Sequence, residues 1–161
     1  MRNTLYLIRG MASSGKRTLA KQLLTSLYQP KVMVATDDYF VGADGVYRFD
    51  HSKLTENHGK CEQKAVTALS EGCNVIVHNT FSCRWEMEPY LKAAKECGAE
   101  IVVIDLFDGG CTNEELLERS GRSIPVFVLE RMRTRWEHNW RNPNPHGFLI
   151  PLSSWEKGGE E

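Results

Sequence analysis

Lys16 closes a pattern that gathers phosphate chemistry into one short stretch, Gly10-Met11-Ala12-Ser13-Ser14-Gly15-Lys16-Arg17-Thr18. Gly10 and Gly15 permit backbone dihedrals and close approaches that a side chain would block. Successive N–H groups can then point inward and, with the positive end of a following helix, form a nest for an anion. Lys16 adds a compact positive charge for the outer phosphates. The pattern G-x-x-x-x-G-K ordinarily continues with Ser or Thr, whose hydroxyl meets magnesium. Arg17 stands there instead, and the next hydroxyl is Thr18.

A second group lies at Thr36-Asp37-Asp38-Tyr39-Phe40. Adjacent carboxylates beside a phosphate loop can act as a general base or hold magnesium through water. In phosphoryl transfer the base takes the proton of an acceptor hydroxyl as that oxygen attacks phosphorus. Taken alone, Asp37-Asp38 is also ordinary turn or cap chemistry. A third group is Val77-His78-Asn79-Thr80, and a fourth is the run Arg119, Arg122, Arg131, Arg133, Arg135 and Arg141. Guanidinium groups suit phosphate oxygens. Arg119 and Arg122 flank Ser120-Gly121, a spot suited to a closing lid, and the reading favours Arg122 with Arg119 nearly level.

The elements that must carry these groups are legible. An apolar run over 4–8 precedes the loop, and Leu19, Leu23, Leu24 and Leu27 stripe one helical face after it. Short β-branched runs predict further strands over 31–35, 74–77 and 100–105. Helices are predicted over 53–71 and 84–97, with Gly72 and Gly98 at their ends and Ser82 as a cap for the second. Thr112 with Glu115 is a capping box for a fourth helix. Pro125 suits the first turn of a fifth, reaching about Trp136 or beyond. Strand alternating with helix implies a parallel sheet covered on both faces, with ligands outside the carboxyl ends of the strands.

With 161 residues, a net charge of −1 and charged residues at 25%, the chain suits one domain with a single core. The domain is expected over 1–141. A tail over 142–161, rich in Pro and Gly, is expected to pack back in part through Phe148, Leu149, Ile150 and Trp155, with a loose end. No apolar run approaches the span of a bilayer, so no membrane partner is expected. The 5 cysteines form no C-x-x-C pair and suit a reducing, cytoplasmic setting.

Gly10–Thr18, Thr36–Phe40, Tyr47-Arg48-Phe49-Asp50, His58-Gly59-Lys60-Cys61, Val77–Thr80, Pro89-Tyr90 and the arginines over 119–135 occur in an order that resembles P-loop kinases of the polynucleotide 5′-kinase type. The resemblance spans about residues 4 to 137. It implies an α/β, three-layer P-loop NTPase/kinase fold, a central parallel sheet with helices on both faces. It also implies ATP as donor, Mg2+, and transfer of the γ-phosphoryl group to the 5′ end of a nucleic acid. By the same resemblance Asp37 is the general base and Lys16 the phosphate ligand. Arg119 and Arg122 form the lid, and Gly10, Ser13, Ser14, Gly15, Arg17 and Thr18 complete the nucleotide loop. Asp38, His58, His78, Asn79 and Thr80 line the acceptor side.

Two positions depart from the family pattern. Arg17 replaces the hydroxyl, and His78 replaces a carboxylate in Asp-Asn-Thr. Arg17 is open to three readings: a guanidinium against the β-phosphate, one turned outward, or one that repels the metal. Asp37 or Asp38 then remain as metal partners through water. His78 either bonds backbone or meets substrate, and His58, on the buried stripe of its helix, is either a core histidine or a site wall. Arg131 and Arg135 read equally as a solvated face, and Trp136, Trp140 and Trp155 as core or as base-stacking groups. A small-molecule acceptor, such as a nucleoside or sugar, and a non-catalytic nucleotide binder stay open beside the polynucleotide kinase.

Overall fold

Four parallel strands form the sheet: β1 (Thr4–Gly10), β2 (Lys31–Val34), β3 (Asn74–Asn79) and β4 (Glu100–Phe107), in the order β2-β3-β1-β4. A computed structural model describes residues 2–141 of the chain. The expected tail, with its four apolar anchors, lies outside the described residues. β1 and β3 register as Leu7 with Val77 and Ile8 with His78, while β4 pairs along the other side of β1. The chain moves to one side of β1 for β2 and β3 and to the other for β4. The order therefore reverses beside β1, and the crevice at such a reversal is where this architecture places ligands.

Alternation along the strands divides the core in two. Leu5, Leu7, Val75 and Val77 face α2 (Leu54–Ser70) and α3 (Arg84–Glu96), against Cys61, Ala65, Leu69, Met87, Tyr90 and Leu91. Ile8 and Ile76 face the other way, against Ala20 and the leucine stripe of α1 (Lys16–Ser26). The result is a three-layer α/β domain, the fold expected. The central strands β1 and β3, buried on both faces, need continuous apolar runs, which is why those runs are legible in the sequence.

A third apolar cluster joins α4 (Asn113–Arg119) and α5 (Val126–Arg135) to the loop after β1, through Met11, Leu116, Leu117, Leu129, Met132 and Trp136. Trp136 and Trp140 are both buried in the core. At the start of α4 the Thr112 hydroxyl accepts from the Glu115 N–H at 3.1 Å, and the Thr112 N–H donates to Glu115 at 2.9 Å. That is the reciprocal pair read from the sequence. Pro125 sits one residue before α5, and the helix ends at Arg135. The cap of α3 differs from expectation. Cys83 occupies it, its N–H donating to Glu86 at 3.1 Å, while the Ser82 hydroxyl is buried with no hydrogen-bond partner. The Ser82 carbonyl is used elsewhere, accepting from Arg9 and from the Glu137 N–H.

Arg9 is the acceptor's partner and the least expected core residue. Its guanidinium is fully buried and donates to the Phe81 carbonyl at 2.9 Å, the Ser82 carbonyl at 2.9 Å and Asp105 at 2.8 Å. It also lies 4.1 Å from the ring centroid of Trp136. Burial pulls the guanidinium below its ordinary value, and the Asp105 carboxylate pushes back. One side chain thus ties the end of β1 to β4, to the β3–α3 connection and to the residue after α5. Arg9→Met removes these bonds and leaves the buried Phe81 carbonyl without a donor and Asp105 without its ion-pair partner, at a cost of about 3 kcal/mol. Thermal unfolding should move down by roughly 10 °C. A shift below about 2 °C would show that the network contributes nothing.

Candidate functional site

The loop between β1 and α1 is held on three sides. The Gly10 N–H donates to the Thr80 carbonyl at 3.2 Å, the Met11 N–H to Phe107 at 2.7 Å, and the Ser14 N–H to Met11 at 3.1 Å. Ser13 and Gly15 take positive φ, +64° and +105°. Such residues turn successive amides toward one side, the arrangement an anion needs. Lys16 folds back over this concavity, its Nζ donating to the carbonyls of Gly10 at 2.8 Å and Met11 at 2.9 Å. The Ser14 hydroxyl is buried and lacks a hydrogen-bond partner. A cradle of amides, an ammonium and a spare hydroxyl is chemistry that fits a polyphosphate. Thr18 lies in the first turn of α1.

Gly109, remote in sequence and not among the expected site residues, forms the wall of this loop. A Cβ at that position would stand 2.6 Å from the Ser14 carbonyl oxygen, and φ there is +66°. The signal available was Asp108-Gly109-Gly110 directly after a strand that ends beside the loop.

The acidic pair sits on a short 3-10 turn, Thr36–Phe40, following β2. Two side chains from other elements fix its first residue. The Asn79 side-chain oxygen accepts from the Thr36 N–H at 2.8 Å, and His58 Nδ1 is 3.0 Å from the Thr36 hydroxyl. Asn79 also reaches Cys61 on α2, and Asn57 donates to the Tyr39 carbonyl. Asp37 emerges from this anchored turn exposed to solvent. The Tyr47 hydroxyl engages Asp37; burial, the Asp37 charge and their hydrogen bond push the phenol up to about 12. Tyr47 thus remains a proton donor that can orient one carboxylate oxygen. In the sequence Tyr47 stands out only as part of the Tyr47-Arg48-Phe49-Asp50 motif, with no local signal of this contact.

Asp38 is occupied. One oxygen accepts from Arg17 Nη2 at 3.0 Å, and the other accepts from the Ala35 N–H at 3.1 Å. His78 lies beneath, on the α1 face of β3. Burial and then the neighbouring Arg17 bring its imidazole down to about 4, with Asp38 opposing and Lys16 and Lys21 adding to the fall. It is therefore neutral at ordinary pH, and its Nε2 has no hydrogen-bond partner. Thr80 is buried and lends its carbonyl to Gly10.

The arginines separate by position. Arg119, closing α4, points Nη1 at the Ser13 carbonyl across 3.3 Å. Arg122 turns away to Glu114, at 2.9 Å, and to Glu118. Arg133 is bound by Asp108, Asn113 and the Cys111 carbonyl, Arg135 reaches Glu86, and Arg131 lies over Phe127. Arg141 stacks on Trp140.

The two buried histidines make stability depend on pH. Burial brings His58 down to about 3, and His78 is held near 4. In the unfolded chain both protonate near pH 6.5, so below that value the unfolded state binds more protons than the fold. Their stability is fully present above about pH 6.5 and is lost as pH falls toward 4. Between pH 7.5 and pH 5 the loss should be about 2 kcal/mol for each histidine. Denaturation midpoints at the two pH values check this. A His78→Gln variant should show roughly half the native pH dependence, and an unchanged slope would remove His78 from the account.

The magnesium contacts of the loop pattern are altered among the described residues. Arg17 occupies the hydroxyl position, both Asp38 oxygens are engaged, and no group of three or more His, Cys, Asp or Glu among the described residues could hold a metal ion. The residues beside the loop therefore offer neither a hydroxyl after Lys16 nor a free Asp38 oxygen as direct metal ligands, and Asp37 is the exposed carboxylate of the pair. Nor, among the described residues, is any helix long and apolar enough to cross a membrane.

The fold and its loop define a P-loop kinase-like domain. Residues 5–139 match a family described as an AAA domain, and the chain belongs to that family. Human NEDD4-binding protein 2 is 36% identical over 94 residues, which is 57% of this chain and only 5% of that protein. Among solved structures, the Pnkp1/Rnl/Hen1 RNA repair complex is similar, with TM-score 0.67 and 21% identity, covering 84% of this chain and 44% of the other. The Mycobacterium tuberculosis APS kinase, in complex with AMPPNP and APS, is also similar. Its TM-score is 0.53 at 16% identity, covering 74% of this chain and 69% of that one.

Proposed function

We propose that the domain transfers the γ-phosphoryl group of ATP to the 5′-hydroxyl of a polynucleotide. The observation that carries the acceptor class is the exposure of Asp37 on an open shelf. Tyr47 and Phe49 beside it are about half exposed, at 51% and 46%, and both pack against the buried Phe40 with centroids 6.1 Å and 5.0 Å away. A carboxylate in the open beside aromatic faces suits the end of a strand whose base can stack. The similarity to an RNA repair complex agrees with that reading.

The chemistry assigned to the residues is in-line transfer. Loop amides, Lys16 and Ser14 hold the outer phosphates; Asp37 accepts the hydroxyl proton as the hydroxyl oxygen attacks the γ-phosphorus, and the bond to the β–γ bridging oxygen breaks to release ADP. Tyr47 orients Asp37, and Thr36, braced by Asn79 and His58, fixes its backbone. Thr80 holds the loop at Gly10. Arg119 is assigned the developing phosphate charge ahead of Arg122, reversing the order drawn from the sequence, because Arg119 already reaches the loop. Arg119→Ala should lower kcat by on the order of a hundredfold. Arg122→Gly, which suits the positive φ there, should change it less than about threefold, because Arg122 is already paired outward. Equal losses would overturn that ranking.

The deciding assay is transfer of labelled γ-phosphate from ATP to matched 5′-hydroxyl DNA and RNA oligonucleotides, with and without magnesium. Label on the 5′ end is the expected result. ATP binding without label on either oligonucleotide would overturn the polynucleotide reading. It would then favour a small acceptor, as the likeness to APS kinase would suggest, or a nucleotide binder that does not turn over.

A further inference from the structure

Three features around the loop bear on its charge. The residue after Lys16 is a cation where a hydroxyl would meet the metal. His78, at the neighbouring strand end, is a buried neutral imidazole with an unpartnered Nε2. Asp38, the nearest carboxylate, spends one oxygen on Arg17 and the other on a backbone N–H. The site carries a fixed positive charge where the pattern has a metal-facing hydroxyl, and both Asp38 oxygens are engaged. Arg17 is the second residue of α1, so it sits where helix amides already favour an anion.

We infer that Arg17 is the resident counter-charge of this nucleotide site, so that the domain binds nucleoside triphosphate without a divalent cation. This rests on the nucleotide-binding part of the proposed function and deepens it. Arg17 is held by Asp38 at 3.0 Å, with the two side chains 49% and 39% exposed. An ion pair that open to water is weak and exchangeable. A triphosphate offers the guanidinium more charge and several oxygens in a suitable fork, so it displaces Asp38. A planar, permanently charged group can do this at the position where the pattern has a metal-facing hydroxyl and where both Asp38 oxygens are already engaged.

The test is ATP binding by calorimetry, in EDTA and in excess magnesium, on the native chain, Arg17→Ser, Asp38→Asn and the double variant. The native chain should bind ATP in EDTA within fivefold of its affinity in magnesium. Arg17→Ser should lose at least tenfold in EDTA and recover in magnesium, because serine restores the metal-facing hydroxyl. Asp38→Asn should tighten binding in EDTA, and that gain should shrink in the Arg17→Ser background. A native chain that loses more than fivefold in EDTA overturns the inference, as does an Arg17→Ser variant that loses nothing. An Asp38→Asn gain of equal size in both backgrounds would overturn the exchange. Absence of ATP binding under both conditions would instead overturn the nucleotide reading on which this rests.

Discussion

Asp37→Asn should lower phosphoryl transfer by roughly a thousandfold while leaving ATP affinity within about twofold. The side chain keeps its shape and its contact with Tyr47 but cannot accept the proton of the attacking hydroxyl. Asp37 stands outside the phosphate cradle, which is built from the loop, Lys16 and Ser14, so binding should be spared. Thr36 is fixed by Asn79 and His58 without help from the Asp37 carboxylate, so the turn should hold. Single-turnover transfer with ATP binding measured in parallel checks both halves. Near-normal turnover would remove Asp37 as the base, and loss of ATP binding would place it in the donor site instead.

Gly109→Ala should weaken ATP binding by at least about thirtyfold, although Gly109 is remote in sequence from the loop. Its new Cβ would stand 2.6 Å from the Ser14 carbonyl oxygen, and that atom is backbone that cannot rotate away. The left-handed φ adds roughly 1–2 kcal/mol of strain for any residue with a Cβ. Gly110 is the internal control, with φ +79° and no atom within 4 Å of its would-be Cβ. Gly110→Ala therefore carries the strain without the collision. Comparing the two isolates what the contact does to the loop. Equal affinities in the two variants would mean that the wall formed by Gly109 does not shape the nest.

The features that were readable are those set by neighbours in the chain. The nest depends on consecutive dihedrals, the strands on continuous apolar runs, and the cap of α4 on residues three apart. The cap of α3 went to Cys83 rather than Ser82 because Ser82 uses its carbonyl to hold Arg9 and Glu137. No local rule contains that demand.

The site divides along the same line. Local spacing by itself determined a phosphate loop with its lysine, an acidic pair at the next strand end and a layered parallel sheet to carry them. Only the tertiary structure decided which carboxylate is open and which is held by Arg17. It likewise decided that Arg119 rather than Arg122 reaches the loop, and that Gly109, Asn79 and His58 brace groups far from them in the chain. Dihedral preference and periodicity act over a few residues, whereas ion pairs and close contacts depend on which strand ends the sheet order brings together.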